Sequence, residues 1–565
     1  SPGVLAIEND QSQITQLPVE AGAAIVGPTV KGKVGIPTIC TTYSDYSNKY
    51  GSTFESGSQT FTYLTSISAY NYFQNGGTSL LVTRVVSGSF TPATSSIIQN
   101  IHTSSSLILE TLTEGEIANS DGTLNANGTL VNGTSDNIRW QVTNRNINEG
   151  TFELVVRRGD DTTLSPSRLE TWSNLSLDPY SSNYVEKVIG NQTEVISSDA
   201  GEFYVKMQGE YANNSRYIRV KSINTTTPEY FDNNGDPKPQ FTGSLPITSS
   251  GAFGSAIGSN ISTTTGKYYE NISNDNIQGL QATDYADSIS LLGNKEAYRY
   301  NLLTTPGLIS DFGLHSTTIT NTINTCQNRG DAMAVIDLVR YGSNLTTVTT
   351  QAKTYDTSYA AAYWPWVQTI DPNTARQVWV PASTLIPGIY AFNDRIAAPW
   401  FAPAGQNRGI MSTAIRAERY LTQGNRDTLY ENKINGIVTF PNTGVTVFGQ
   451  KTLQKKKTAL DRINVRRLLI ELKGFISQVA DTLVFEQNNV TTRNTFLSQV
   501  NPYLNSVQNQ QGLTAFKVVM DESNNTPTTI DNNQLIGQIY LQPVRSAEFI
   551  ILDFNVLPTG ATFPS

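Results

Sequence analysis

Residues 69–77 read Ala69-Tyr70-Asn71-Tyr72-Phe73-Gln74-Asn75-Gly76-Gly77, and residues 80–86 continue Leu80-Leu81-Val82-Thr83-Arg84-Val85-Val86. The first stretch closes a pattern in which Phe61, Leu64, Ile67, Ala69, Tyr70 and Phe73 recur at helical spacing, which predicts an amphipathic helix over 59–74. Gly76-Gly77 ends it. The second stretch is a short unbroken apolar run, the pattern of a strand buried on both faces. Upstream, Ala23-Ala24-Ile25-Val26-Gly27-Pro28 reads as another such strand, closed by a turn. Strand, helix, strand in that order is an α/β arrangement.

Past 86 the texture changes. Ser, Thr, Asn and Gly dominate 87–284, and Ile138, Trp140, Val142 and then Phe152, Leu154, Val156 alternate as strands do. The α/β texture returns at 285, with a buried strand at 332–339 and a short strand at 376–380 stopped by Pro381. Residues 21–86 and 285–420 are therefore expected to form one discontinuous α/β core domain. Between them 87–284 is a β-rich outer insertion with room for two subdomains. Over 421–548 a compact α+β domain is expected. Val465, Leu468, Leu469, Leu472, Phe475, Ile476, Val479 and Leu483 mark a helix over 462–485. A second helix follows near 491–507, then strands at 516–520, 535–541 and 548–554. Residues 1–20 and 549–565 read as extended arms. Pro2, Gly3 and Pro18 disfavour helix, and Val4, Leu5 and Ile7 are too sparse for a core, whereas Ile550, Leu552 and Phe554 alternate. The fold class expected is α+β and multidomain.

Composition narrows the function. With 565 residues, several domains are expected. Only 15% of residues are charged and the net charge is −8, which argues against nucleic acid as principal ligand. No run approaches the roughly 20 apolar residues that span a bilayer. The opening Ser1-Pro2-Gly3-Val4 lacks the basic and apolar regions of a signal peptide, so synthesis in a cytoplasm is expected. Two cysteines, Cys40 and Cys326, make neither a disulfide framework nor a zinc site, and are expected buried and reduced.

Catalytic signatures are weak. His102 and His315 have no His or Cys at metal-ligand spacing, and no Gly-x-Ser-x-Gly elbow occurs. Gly27-Pro28-Thr29-Val30-Lys31-Gly32-Lys33-Val34 has the skeleton of a phosphate-binding loop. Val34 stands where Ser or Thr would hold magnesium, and Pro28 removes an amide, so the segment reads as a turn between strands. Asp521, Glu522 and Asp531 read as a solvated loop. No catalytic residue, metal or cofactor is expected. The densest cationic run is Lys455-Lys456-Lys457, with Lys451, Arg462, Arg466 and Arg467 nearby. It is either a solvated helix entrance or an electrostatic dock for an acidic partner.

Several segments together resemble phage tail sheath proteins. Val26-Gly27-Pro28 with Gly35-Ile36-Pro37 is similar to that family's first strand and turn. Ser44-Asp45-Tyr46 to Tyr50-Gly51 resembles its next step, and 69–77 with 81–85 its "FFxNGG…VVRV" segment. Tyr363-Trp364-Pro365-Trp366, Asp371-Pro372, Val378-Trp379-Val380-Pro381, Gly388-Ile389-Tyr390 and Ala402-Pro403-Ala404-Gly405 follow in the family's order. Asn464-Val465-Arg466-Arg467-Leu468 resembles its "VNVRRL" helix start. Val484-Phe485-Glu486-Gln487-Asn488 resembles its "xFEPN" turn, with Gln487 where Pro is usual. Pro543-Val544-Arg545-Ser546-Ala547-Glu548-Phe549-Ile550 resembles its "PxRPAEFI" strand, with Ser546 replacing Pro.

The resemblance implies a structural, non-enzymatic subunit that polymerises helically around a tail tube and contracts to drive the tube through a bacterial envelope. It implies self-association, and tail tube, baseplate and tail terminator proteins as partners, in a virion tail assembled in a host cytoplasm. It makes Val4, Leu5, Ile7, Ile550, Leu552 and Phe554 candidates for inter-subunit arms, and Lys455, Lys456, Lys457, Arg466 and Arg467 candidates for a tube-facing surface. The sheath of a contractile bacteriocin or injection system is the nearest alternative; a β-rich surface or adhesive protein is a more distant one.

Overall fold

The computed structural model describes residues 19–56, 59–99, 104–119, 123–259 and 272–548. Its centre is an eight-stranded sheet. In spatial order the strands are Gly444–Phe448, Asn435–Phe440, Ala360–Trp364, Met333–Asp337, Leu302–Ile309, Ala23–Gly27, Leu80–Arg84 and Thr38–Cys40. The six inner strands run parallel and the two edge strands antiparallel. Adjacent residues of one strand serve opposite cores: Ala23 and Ile25 lie in one apolar cluster, Ala24 and Val26 in the other. Burial on both faces is why these strands are unbroken apolar runs.

On one face lie the helices Leu64–Gln74 and Ile386–Ile396, on the other Ala286–Leu291 and Ser316–Arg329. The helix expected over 59–74 begins only at Leu64. Gln59–Phe61 instead pairs with Phe54–Ser56 in a short hairpin, with Phe54 opposite Phe61 and stacked 4.4 Å from Tyr63. Aromatic cross-strand packing there outweighs the helical spacing.

The insertion makes a four-stranded antiparallel sheet (Arg168–Ser176, Thr151–Arg158, Ile138–Asn146, Ser249–Ala252) and a three-stranded one (Ile218–Ile223, Ser105–Glu114, Pro92–Ile98). They share a core that includes Trp140, Val142, Leu154, Val156, Leu107, Leu109 and Val220. A separate ribbon, Thr193–Asp199 with Glu202–Gln208, leans on the main sheet's second core through Ile196, Phe203 and Val205.

Three expected boundaries move. Asn435–Phe440 and Gly444–Phe448 hydrogen-bond into the main sheet, so the core runs well past 420. Ile277, Leu280 and Ala282 already belong to the second core, ahead of 285. Val19–Ala21, partly inside the expected arm, pairs in parallel with Tyr298–Tyr300. The rest of the arms, with Val4, Leu5, Ile7, Ile550, Leu552 and Phe554, lies outside the described residues, as does His102.

The C-terminal domain stacks the helices Ile463–Asp481 and Val490–Asn509 on a two-stranded sheet, Leu513–Val519 with Gln538–Pro543. Leu468, Leu472, Phe496, Val500 and Leu504 fill its core, and Phe475 stacks on Tyr503 at 3.8 Å. Among the described residues no helix is long and apolar enough to cross a membrane.

Candidate functional site

Open α/β sheets take ligands outside the carboxyl ends of their strands, where the strand order reverses. Here that point lies between Ala23–Gly27 and Leu302–Ile309, beside the loop with the phosphate-binding skeleton. The chain fills it. A Cβ on Gly27 would sit 2.5 Å from Thr65 Oγ1. One on Gly307 would meet Ile277 and Gln278 at 3.1 and 3.2 Å, and Gln278 Oε1 accepts the Leu64 N–H at 2.9 Å. Both loop lysines are engaged by the insertion: Lys31 pairs with Asp136 at 3.0 Å and Lys33 with Glu194 at 2.6 Å.

Arg84, the arginine of the opening stretch, finishes this joint. Its buried guanidinium donates to the Gly32 and Glu114 carbonyls at 2.7 and 2.8 Å, and burial lowers its pKa to about 10. The Glu114 carboxylate accepts the Val34 N–H at 3.0 Å. What looks in sequence like a nucleotide loop is the anchor of the insertion.

The remaining chemical candidates are structural. His315 is buried, and its Nδ1 accepts the Ile309 N–H at 3.1 Å; burial lowers its pKa. Cys40 and Cys326 are free and buried, and burial pushes each thiol up to about 12, away from the reactive thiolate. Asp521, Glu522 and Asp531 are exposed, with Asp521 accepting from Ser523. No group of three His, Cys, Asp or Glu suited to a metal ion occurs among the described residues.

The cationic cluster splits in two. Lys455, Lys456 and Lys457 are exposed on a loop, where the Lys455 N–H bonds Asp356 Oδ1 at 2.8 Å and Gln454 Nε2 donates to the Lys456 carbonyl at 2.7 Å. Arg466 and Arg467 are not surface groups. Each is 4% exposed, because the start of the Ile463–Asp481 helix is driven into the core domain. The Arg466 guanidinium bonds Ser358 and lies 4.1 Å over the Tyr359 ring; burial lowers its pKa. Arg467 pairs with Asp394. Lys451 is also buried, 3.3 Å from Asp461 and 4.3 Å from the Tyr430 ring. Arg462 pairs with Glu548 at 2.6 Å and with Asp461 at 2.7 Å.

These cations, buried except for the half-buried Arg462, form a seam between core and C-terminal domain. Trp400 extends it, donating from Nε1 to the Gln510 carbonyl at 3.0 Å. Sequence reading missed the seam because Ser358, Asp394 and Glu548, the partners of Arg466, Arg467 and Arg462, lie far away in the chain. The arrangement is a joint of ion pairs and hydrogen bonds beside an exposed basic loop.

The family model for the phage tail sheath protein central domain matches residues 275–453, and that for the phage tail sheath C-terminal domain matches 455–557. The chain belongs to the phage tail sheath family. It is 39% identical over 207 residues to the tail sheath protein of Vibrio phage KVP40, covering 37% of this chain and 31% of that one. It is 37% identical over 185 residues to the tail sheath protein of Enterobacteria phage T4, covering 33% of this chain and 28% of that one. The alignments thus span about a third of these relatives' length. The sheath tail protein of Listeria innocua shares the fold, with a TM-score of 0.55 at 12% identity over 93% of each chain.

Proposed function

We propose that this chain is the repeating subunit of a contractile tail sheath, polymerising helically around a tail tube and contracting to drive the tube through a bacterial envelope. The match of both sheath domains over 275–557 carries the reading. Such a machine needs no nucleotide, because its free energy is held in the lattice and released as one set of contacts replaces another. It works in the tail of the virion after assembly in the host cytoplasm, with tail tube, baseplate and tail terminator proteins as partners.

Two surfaces serve it. The arms bearing Val4, Leu5 and Ile7 at one end and Ile550, Leu552 and Phe554 at the other add strands to open sheet edges of neighbouring copies. The two-stranded sheet of the C-terminal domain, whose outer edges are unpaired among the described residues, supports this. Lys455, Lys456 and Lys457 face an acidic tube, and their exposure supports that role. Such contacts weaken with salt, which suits a surface that must release its partner.

Negative-stain electron microscopy of the purified protein, alone and with a tube nucleus, tests the reading. Hollow tubes are expected. A chain that stays monomeric at every concentration, nucleus included, refutes it.

A further inference from the structure

At the far end of the Ile463–Asp481 helix the chain turns through 482–489 before the next helix. Phe485 stands at the tip of that turn, fully exposed, with φ of 71°, a conformation side-chain-bearing residues rarely adopt. Val484 and Val490 beside it are more than half exposed. The turn is ordered: the Glu486 N–H bonds the Leu483 carbonyl at 3.1 Å, and Thr492 Oγ1 donates to the Gln487 carbonyl at 2.6 Å. Hydrogen bonds therefore hold an aromatic ring out in water with no packing to reward it. Val484, Phe485 and Val490 expose apolar surface together on one turn, and it is grouped rather than isolated apolar exposure that marks interaction sites.

The same domain carries a matching hollow. A cleft of about 310 Å³ opens between the Ile463–Asp481 helix and the two-stranded sheet, floored by Leu472, Ile476, Ile539 and Leu541, with Lys473 and Ser477 on its rim. The ring cannot fill the cleft of its own chain, since it is fully exposed beyond the helix end. Charge agrees with shape. Asp481 and Glu486 flank the knob, and Lys473 stands at the lip of the cleft, all three exposed.

We propose that Phe485 of one copy seats in the Leu472–Ile476–Ile539–Leu541 cleft of a second copy, with Glu486 and Asp481 against Lys473. Each copy then keeps one free knob and one free cleft, so the contact is head-to-tail and propagates. The proposal rests on the sheath reading and adds a specific inter-subunit contact to it.

The test is disulfide trapping. Full-length Phe485→Cys and Ser477→Cys variants are mixed, assembled, oxidised and run on a non-reducing gel. A cross-linked dimer is expected only when both variants are present. Phe485→Ala, which removes no core packing, should raise the concentration needed for assembly by about tenfold or more, as loss of a buried aromatic anchor does. Lys473→Glu should weaken assembly, and Glu486→Lys should restore it. Normal tubes without cross-link, with Phe485→Ala assembling like the parent, overturn this contact and leave the sheath reading intact. They would point to a terminal arm as the occupant of the cleft. Failure of the parent chain to assemble at all overturns both.

Discussion

The Arg467 guanidinium grips the Asp394 carboxylate with two nitrogens, Nη1 to Oδ1 at 2.8 Å and Nη2 to Oδ2 at 2.5 Å. One residue lies on the first helix of the C-terminal domain and the other on the Ile386–Ile396 helix of the core. The Tyr390 ring lies 4.7 Å from the guanidinium carbon. A two-pronged bond between planar groups fixes angle as well as distance, so this pair sets how one domain is presented by the other.

Removing the acid should therefore cost more than a surface pair would. Arg467 is 4% exposed on its side chain and Asp394 30%. Asp394→Ala leaves a buried cation unmatched, and a loss of about 3 kcal/mol is expected. Urea unfolding of both proteins measures it. A loss no larger than that of an exposed ion pair would mean the seam is held by its apolar contacts instead.

Asp337 should make stability fall with rising pH. Its carboxylate is buried at the end of the Met333–Asp337 strand, taking hydrogen bonds from Ser383 Oγ at 2.5 Å and Ser383 N–H at 3.1 Å. Burial pushes its pKa from 3.8 to about 7. The folded state keeps the proton that the unfolded state gives up, so this contribution is full below about 4 and lost as pH rises through 7. Asp337→Asn should gain on the parent across that window, with no further change above it. Parallel stability curves for the two proteins from pH 4 to pH 8 would exclude the effect.

In the insertion, Asp161 is shared by two buried arginines, Arg139 and Arg157, at 2.5 and 2.7 Å. Asp161→Ala leaves two guanidiniums facing each other without a counter-ion. A cost of about 3–5 kcal/mol is expected, confined to the insertion. Limited proteolysis should then cut within 87–284 while the core and C-terminal domain survive.

Gly77→Ala tests the opening stretch. A Cβ there would fall 2.2 Å from the ring of Tyr72, which is pinned by its hydroxyl to the Ser79 carbonyl at 2.9 Å. A ring so held cannot yield cheaply, and a loss of about 1–3 kcal/mol is expected in thermal unfolding. Gly88→Ala serves as control, since it adds backbone strain but nothing lies within 4 Å of its Cβ.

The elements readable from sequence were those whose environment leaves one interpretation. Ala23–Gly27, Leu80–Arg84 and Met333–Asp337 are apolar at nearly every position because both faces are covered. The helix expected over 462–485 is Ile463–Asp481: its start is legible to within one residue, and its end comes four residues early, where the chain turns at 482–485. Phe61 was ambiguous, since the same ring suits a helix face or a cross-strand pair with Phe54. Arg466 and Arg467 misled for another reason. Spacing says which face of a helix a residue occupies, but not that a second domain will cover that face and supply Asp394 or Ser358. The phosphate-loop skeleton connects the strands Ala23–Gly27 and Thr38–Cys40, as Pro28 and Val34 indicate. Its lysines' partners, Asp136 and Glu194, lie in the insertion, beyond any local pattern.

The central sheet also sets a timetable. Leu302–Ile309 sits between Ala23–Gly27 and Met333–Asp337, so strands made first must wait for one made after the whole insertion. At roughly 5–20 residues per second on a ribosome, that wait is on the order of tens of seconds. Meanwhile the insertion can close around its own core, whereas the edge of Ala23–Gly27 stays open to whatever strand arrives. On a crowded polysome, neighbouring nascent chains offer the same strand, and exchange between them is the characteristic error this topology invites.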